Sequence, residues 1–300
     1  MYAITGASGN TGRVVASDLL KRGHEVRAIG RDARHLRALA AVGAEPFVAD
    51  LTDPQRLATA FSGAEAAYVM MPPDLASEDY LAFQDRVGGN LAKAIERARV
   101  EFVVTLSSVG ADKADGTGPV VGVRGLEERL NRIPGINVLH LRPGYFMENT
   151  LPQASIIPIA GAASGPLRPD LKLPMIATRD IGAAAAEALS RLDFTGHQTR
   201  ELLGERDISY AEATAVIGRA IGRPSLDYVQ TNDEQLRPAL IQMGMSGNVA
   251  DLILEMAGAL NSGHMRPLEA RSPANTTPTS YETFVEEEFL PLYQARLQAA

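Results

Sequence analysis

Short apolar runs alternate with amphipathic stretches at a steady interval through the first half of the chain. Tyr2–Thr5 is an apolar run closed by a glycine-rich turn, and Val14, Val15, Leu19 and Leu20 then recur at helical spacing between Gly12 and Arg22, up to a stop at Gly23. Glu25–Ile29 reads as the next strand, followed by a helix through Leu36, Leu39 and Ala40 that ends at Gly43. Glu45–Val48 is a third strand, and Pro54 falls where the first turn of the next helix belongs. Ala66–Met70 and Phe102–Leu106 are strands on either side of a long helix around Asp79–Arg99, and Asn137–Leu141 is a further strand. Strand interiors that are apolar almost throughout, alternating with helices, predict an α/β fold with a parallel sheet covered on both faces.

Beyond Arg142 the rhythm breaks. Residues 151–175 are interrupted by proline and glycine and read as loop and short strands. Helices are expected over Ile181–Leu192, Tyr210–Ile221, Asp233–Leu260 and Tyr281–Ala300. The pattern suggests a sheet-forming half over 1–150 and a smaller, mostly helical lobe over 151–300, with 176–204 packing back on the sheet.

Composition narrows the chemistry. Of 300 residues, 45% are hydrophobic and 22% charged, an ordinary globular balance with no apolar run long enough to span a bilayer. No secretory leader pattern opens the chain, so a cytoplasmic protein with no membrane partner is expected. Cysteine is absent, which excludes disulfide scaffolds, thiolate catalysis and Cys-ligated metals. A net charge of −7 argues against nucleic acid as a partner. The five histidines show no metal-ligand spacing, so no metal is expected.

The strongest local signal is Thr5-Gly6-Ala7-Ser8-Gly9-Asn10-Thr11-Gly12, a glycine triplet between a strand and a helix. A dinucleotide-binding turn needs glycines for tightness, for backbone approach to a pyrophosphate and for helix–strand packing. The anion then rests on N–H groups at the helix N-terminus. At the end of the second strand, NAD binders place an acid for the ribose 2′-hydroxyl. Here the chain reads Gly30-Arg31-Asp32, with Arg34 and His35 behind. Arg31, joined by Arg34 and Arg13, suits the 2′-phosphate of NADP through charge-assisted bonds, while Asp32 keeps NAD open. Asp50, after the third strand, is placed to bond the adenine edge.

Taken with VADLTD, YVMMPP, LSSVGAD, GLEERL, LRPGYFMEN, LPMIATRDIGAAAAEAL and SYAEATAVIGRAIGRP, in that order, this turn resembles the NmrA-like branch of the atypical short-chain dehydrogenases/reductases. The resemblance runs to about Glu288. It implies a Rossmann-type doubly wound parallel sheet with a smaller, mostly helical C-terminal lobe. It also implies NADP(H) as the preferred cofactor, with NAD(H) as the alternative. Cofactor contacts then fall on Gly6, Ser8, Gly9, Asn10, Thr11 and Gly12, and on Arg31, Arg34, Asp50 and Leu51. Further contacts fall on Met70, Met71 and Pro72, on Ser107 and Arg124, and on Pro143 and Tyr145. Members of the branch include quinone and azo reductases, nucleotide-sensing regulators and aromatic pathway enzymes, and a homodimer is compatible with the resemblance.

Most short-chain dehydrogenases pair a tyrosine with a lysine four residues on, and none of the eight tyrosines here has one. The corresponding stretch is Val120-Val121-Gly122-Val123-Arg124; Val120 has no proton to give, and an arginine is a poor general base. Three readings follow: direct hydride transfer to a quinone-like or conjugated aromatic acceptor, a non-catalytic redox sensor that binds a partner protein, and aromatic (polyketide-type) tailoring, including a monooxygenase. For the first, Ser107, Ser108, Tyr145 and Asn149 are candidate donors to a product oxyanion, with Ser107, Tyr145 and Arg124 the catalytic candidates. A flat substrate is expected against Pro73, Val109, Phe146, Met147 and Asn149, together with Met175, Met243 and Met245, since methionine adapts to aromatic faces. His140 reads as a core histidine, Asp180 as a helix N-cap and Glu286–Glu288 as a solvated helix face.

Overall fold

The apolar runs pair side by side into one seven-stranded, all-parallel sheet in the computed structural model, which describes residues 1–299. Its strands are β1 (Tyr2–Ile4), β2 (Val26–Gly30), β3 (Glu45–Val48), β4 (Ala66–Val69), β5 (Phe102–Leu106), β6 (Asn137–Pro143) and β10 (His197–Leu202). Their spatial order is β10-β6-β5-β4-β1-β2-β3, a doubly wound Rossmann-type arrangement whose winding reverses between β1 and β4. The intervening β7 (Tyr145–Phe146), β8 (Ala163–Gly165) and β9 (Leu173–Ile176), and the later β11 (Asp207–Ile208) and β12 (Tyr228–Gln230), form two small sheets.

Helices cover both faces. α1 (Asn10–Lys21) and α2 (Ala33–Ala41) lie on one side, joined there by α7 (Thr178–Arg191); Val15, Leu19, Ile181 and Ala185 are completely buried between them and the sheet. α3 (Pro54–Phe61), α4 (Tyr80–Ala98) and α5 (Val120–Leu130) cover the other, burying Leu57, Val87, Leu91 and Leu126. A separate core joins α6 (Gln153–Ala160), α8 (Tyr210–Ala220) and α10 (Gly247–Ser262) to the terminal helical segment. That segment is α11 (Tyr281–Phe284), a π-helical turn (Val285–Phe289) and α12 (Leu290–Ala299). No helix among the described residues is long and apolar enough to cross a membrane.

Three expectations need correction. Residues 151–175 hold α6, not only loop and strands: Pro152 sits at the N-cap, where no N–H is required, and Gly161 closes the helix in the left-handed region. The helix expected over Asp233–Leu260 is two, α9 (Asp233–Gln242) and α10, parted where Gly244 takes φ +93° and Ser246 caps α10 by accepting from the Val249 N–H at 3.1 Å. Asp180 is not the cap of α7; Ala177 is, and the buried Asp180 carboxylate accepts from the Thr279 N–H at 3.0 Å and its hydroxyl at 2.7 Å. The strand β10, with the polar pattern His-Gln-Thr-Arg-Glu-Leu, carries no apolar signal and escapes a hydrophobicity reading.

Candidate active site

The turn after β1 is shaped by two contacts that exclude side chains. Gly6 adopts φ +59°, and a Cβ there would lie 2.8 Å from Met70 Sδ. A Cβ on Gly12 would lie 2.3 Å from the Gly6 carbonyl oxygen. Gly9 caps α1 without any side-chain bond, so the first-turn N–H groups and the positive end of the helix dipole face the turn. Above it opens a cleft of about 380 Å³, with Gly6, Ser8 and Gly9 beneath, Gly30, Arg31, Asp50 and Leu51 on one wall, and Met70, Pro72 and Pro73 on the other. Phe83 and Arg86, from α4, close its outer end, and the Arg86 guanidinium lies 5.9 Å from the Phe83 ring centroid. The Asp50 carboxyl is held below its ordinary range by the Thr52 N–H, which donates to it at 2.8 Å, with Arg31 and Arg86 adding attraction against its burial.

A second cleft of about 470 Å³ lies beside the first, and Pro73 lines both. Val109, Pro119, Pro143, Tyr145, Phe146 and Asn149 wall it from the sheet side. Leu173 and Pro174 close another side, and Ile253, Met256, Leu260 and Met265 come from α10 and the loop after it. The Tyr145 hydroxyl is 2.9 Å from that of Tyr210, whose ring stands edge-on at 6.0 Å. Burial pushes the Tyr145 phenol above its ordinary range, although Tyr210 and Asn149 bond to it, so the phenol keeps its proton at neutral pH.

A glycine turn at a helix N-terminus, with an apolar cleft beside it at the carboxyl edge of a parallel sheet, is the layout of a dinucleotide enzyme. The model of the NmrA-like family matches residues 2–290. The chain belongs to the NmrA-like family. It is 30% identical over 262 residues to an NAD(P)H azoreductase of Xenophilus azovorans, across 85% of this chain and 86% of that one. Quinone oxidoreductase 2 of Escherichia coli is 28% identical over 270 residues, across 88% and 89%. Among solved structures, an NADPH-dependent quinone oxidoreductase of Escherichia coli complexed with NADPH superposes with a TM-score of 0.77 at 23% identity, covering 100% of this chain and 99% of that one; this likeness bears on the fold.

This NmrA-like chain does not gather all the residues the sequence pointed to. Arg34 is turned away from the first cleft and pairs with Asp32 at 2.6 Å, and Asp32 in turn caps α2 through the Arg34 N–H at 2.8 Å. The Thr11 side chain is buried, accepting from the Tyr68 hydroxyl at 2.9 Å, so only its backbone can serve an anion. Asn10 and Arg13 line a small neighbouring recess with Glu148 and Arg179. Arg124 donates to the Asp112 carbonyl at 2.8 Å and pairs with Glu128 at 2.8 Å, and it lines neither cleft.

The methionines divide as sharply. Met147 and Met175 are core residues, 2% and 0% exposed, packed among the side chains of the second core rather than along the cleft. Met243 is 63% exposed at the α9–α10 break, and Met245 packs among α9 and α10. Met71 lines a recess of about 180 Å³ beside the second cleft, with Ser107, Ser108 and Phe146. The methionines that do wall the second cleft, Met256 and Met265, carry no local signal, since only the docking of α10 brings them there.

Ser107 is also committed elsewhere. Its hydroxyl donates to the buried Glu127 carboxylate, which accepts bonds from Arg142 Nε at 2.9 Å and Nη2 at 2.6 Å. His140 stands beside this pair, 2.9 Å from Thr105 Oγ1 and 2.9 Å from Asn131 Oδ1, a satisfied core histidine. This network ties the ends of β5 and β6 to α5 beneath the second cleft. Glu127 and Arg142 were within recognised segments, but their pairing depends on a helix–strand crossing that spacing alone does not reveal. Among the described residues no group of three or more His, Asp or Glu side chains is placed to hold a metal ion.

Proposed function

We propose that this NmrA-like chain is an NADP(H)-dependent oxidoreductase that reduces a quinone-like or conjugated aromatic acceptor by direct hydride transfer. The observation that carries the reading is the adjacency of the two clefts, which share Pro73: one is suited to phosphates and the other to a flat apolar ring. The names of the azoreductase and quinone oxidoreductase relatives support the same reaction class.

The first cleft fits the nucleotide on its own geometry. The missing side chain at Gly12 lets α1 start hard against the Gly6 carbonyl, and the uncapped α1 N-terminus beside Gly6, Ser8 and Gly9 suits a pyrophosphate. Arg31 and Arg86 suit the 2′-phosphate, and Asp50 with Leu51 suits the adenine edge. Asp32, occupied by Arg34 and by the α2 cap, has little capacity left for a ribose hydroxyl, which favours NADP over NAD. When bound, the nicotinamide supplies the hydride.

The chain's own contribution is placement. Pro73, Val109, Phe146 and Met256 hold the acceptor by its faces, and positioning of this kind lowers a barrier without a general base. Tyr145, protonated at neutral pH, donates a hydrogen bond from Oη to the oxygen or nitrogen that gains charge, and solvent delivers the accompanying proton. A cofactor-oxidation screen of NADPH and NADH against quinones, azo dyes and ketones tests the proposal. Consumption of NADPH with at least one quinone or azo compound is the expected result; tight nucleotide binding without turnover across the panel replaces it with a sensor.

A further inference from the structure

Resting on that reading, we infer that the preferred acceptor carries an anionic substituent, a carboxylate, sulfonate or phosphate, held by Arg266 at the mouth of the second cleft. The wall of this cleft is apolar apart from a few groups, and among the described residues lining it there are two cations and no Asp or Glu. The molecule as a whole carries a net charge of −7, so a lining of positive sign runs against its composition. Lys172, the first of the two cations, is answered by Glu212 of α8. Arg266 is not answered: it is exposed at the rim, and no described residue gives it an ion pair or a side-chain hydrogen bond.

The backbone around Arg266 is fixed, as a recognition residue requires. On one side Met265 is buried and its N–H bonds the Ala259 carbonyl at 3.0 Å. On the other, the buried Glu201 carboxylate of β10 accepts the Leu268 and Glu269 N–H groups, each at 2.9 Å. His264 adds a bond of 3.1 Å to the Asp115 carbonyl. The loop is thereby held at three points, by α10, by the loop before α5 and by β10 of the sheet, and Pro267 stiffens it further. A guanidinium on such a loop, at the edge of an apolar slot, offers paired donors to an oxyanion whose ring lies inside.

The test uses the full chain saturated with NADP⁺ and a redox-inert pair, naphthalene-2-sulfonate and the neutral naphthalene-2-sulfonamide, titrated by calorimetry. The sulfonate is expected to bind about three- to tenfold more tightly at low salt, with the preference shrinking as ionic strength rises. Arg266→Gln should bring the two affinities within about twofold, while Arg266→Lys should restore part of the ratio. Equal affinities in the parent protein, or a ratio that survives Arg266→Gln, overturns the inference. A parallel assay follows NADPH oxidation with 1,4-naphthoquinone and its 2-sulfonate in the parent and the Arg266→Gln protein. Turnover of both quinones with a ratio that Arg266→Gln leaves unmoved overturns the anionic subsite and leaves the oxidoreductase reading standing. No turnover of either, nor of any quinone, azo dye or ketone of the wider panel, with an Arg266-dependent preference in calorimetry, supports the subsite and overturns the oxidoreductase reading.

Discussion

The two clefts share one proline but are made in opposite ways. The first is written in backbone: a glycine turn, an open helix N-terminus and two strand ends, most of it within the first 51 residues. The second is written in side chains drawn from the ends of β5, β6 and β7, the approach to β9, and α10 with the loop behind it, residues up to about 190 positions apart. A site of the first kind tolerates almost no added atom, whereas a site of the second kind can change its walls and keep its shape. In the NmrA-like chain this divides a fixed nucleotide end from an adjustable acceptor end.

The sharpest way to break the contrast is Gly12→Val. The new Cβ would meet the Gly6 carbonyl at 2.3 Å, so NADPH affinity should fall at least a hundredfold, with an overpacking cost of about 1–3 kcal/mol in unfolding free energy. Nucleotide titration and urea unfolding read the two effects, and near-parental binding would show that the turn is not the anion site.

Next comes the floor beneath the second cleft. Burial lowers the His140 pKa from 6.5 to about 4, with Glu127 pulling the other way. A folded value below the unfolded one means that the neutral ring's contribution is present above pH 6.5 and is lost as the pH falls toward 4. It amounts to about 3 kcal/mol. Urea unfolding of the parent and of His140→Gln at pH 7 and pH 4.5 isolates it; parallel losses in the two proteins would remove His140 as the cause.

Arg31→Glu should weaken NADPH roughly tenfold relative to NADH by replacing the 2′-phosphate partner with a like charge. An unchanged ratio of the two dissociation constants would assign the preference to Arg86. The smallest effect is expected at Tyr145→Phe, about two- to fivefold in kcat/KM for a quinone, because one hydrogen bond at an otherwise apolar wall is lost. The pH–rate profile should keep its shape, and a new dependence on pH would make Tyr145 a general acid.

The same contrast explains what could be read from the sequence. The strands β1 to β6 were legible because most of them are short, largely apolar runs between helices, and the turn because glycines recur at positions 6, 9 and 12 between a strand and a helix. Arg31 and Asp50 followed from their position at strand ends. β10 was missed because its four leading residues, His197–Arg200, are polar and exposed on an edge strand. Arg34 and Arg124 have the right charge near the right place, but each has a local carboxylate, two or four residues away, that captures it first. Met147 and Met175 have the right chemistry but are enclosed in the second core, a burial that only the packing of elements distant in sequence decides. Met256, Met265 and Arg266 were invisible because nothing within a few residues of them records that α10 crosses the sheet edge.

The late arrival of β10 also bears on how the chain can be divided. β6 pairs along its whole length with a strand that is not made until 54 residues after Pro143, as the register of His197 with Val138 through Leu202 with Pro143 requires. A fragment ending at residue 150 would leave β6, with Val138, Leu139 and Leu141, as a naked apolar edge, and such edges recruit other strands. Residues 1–150 and the part of the chain that follows them are therefore woven together, and during synthesis the sheet stays open to misassociation until His197–Leu202 has left the ribosome.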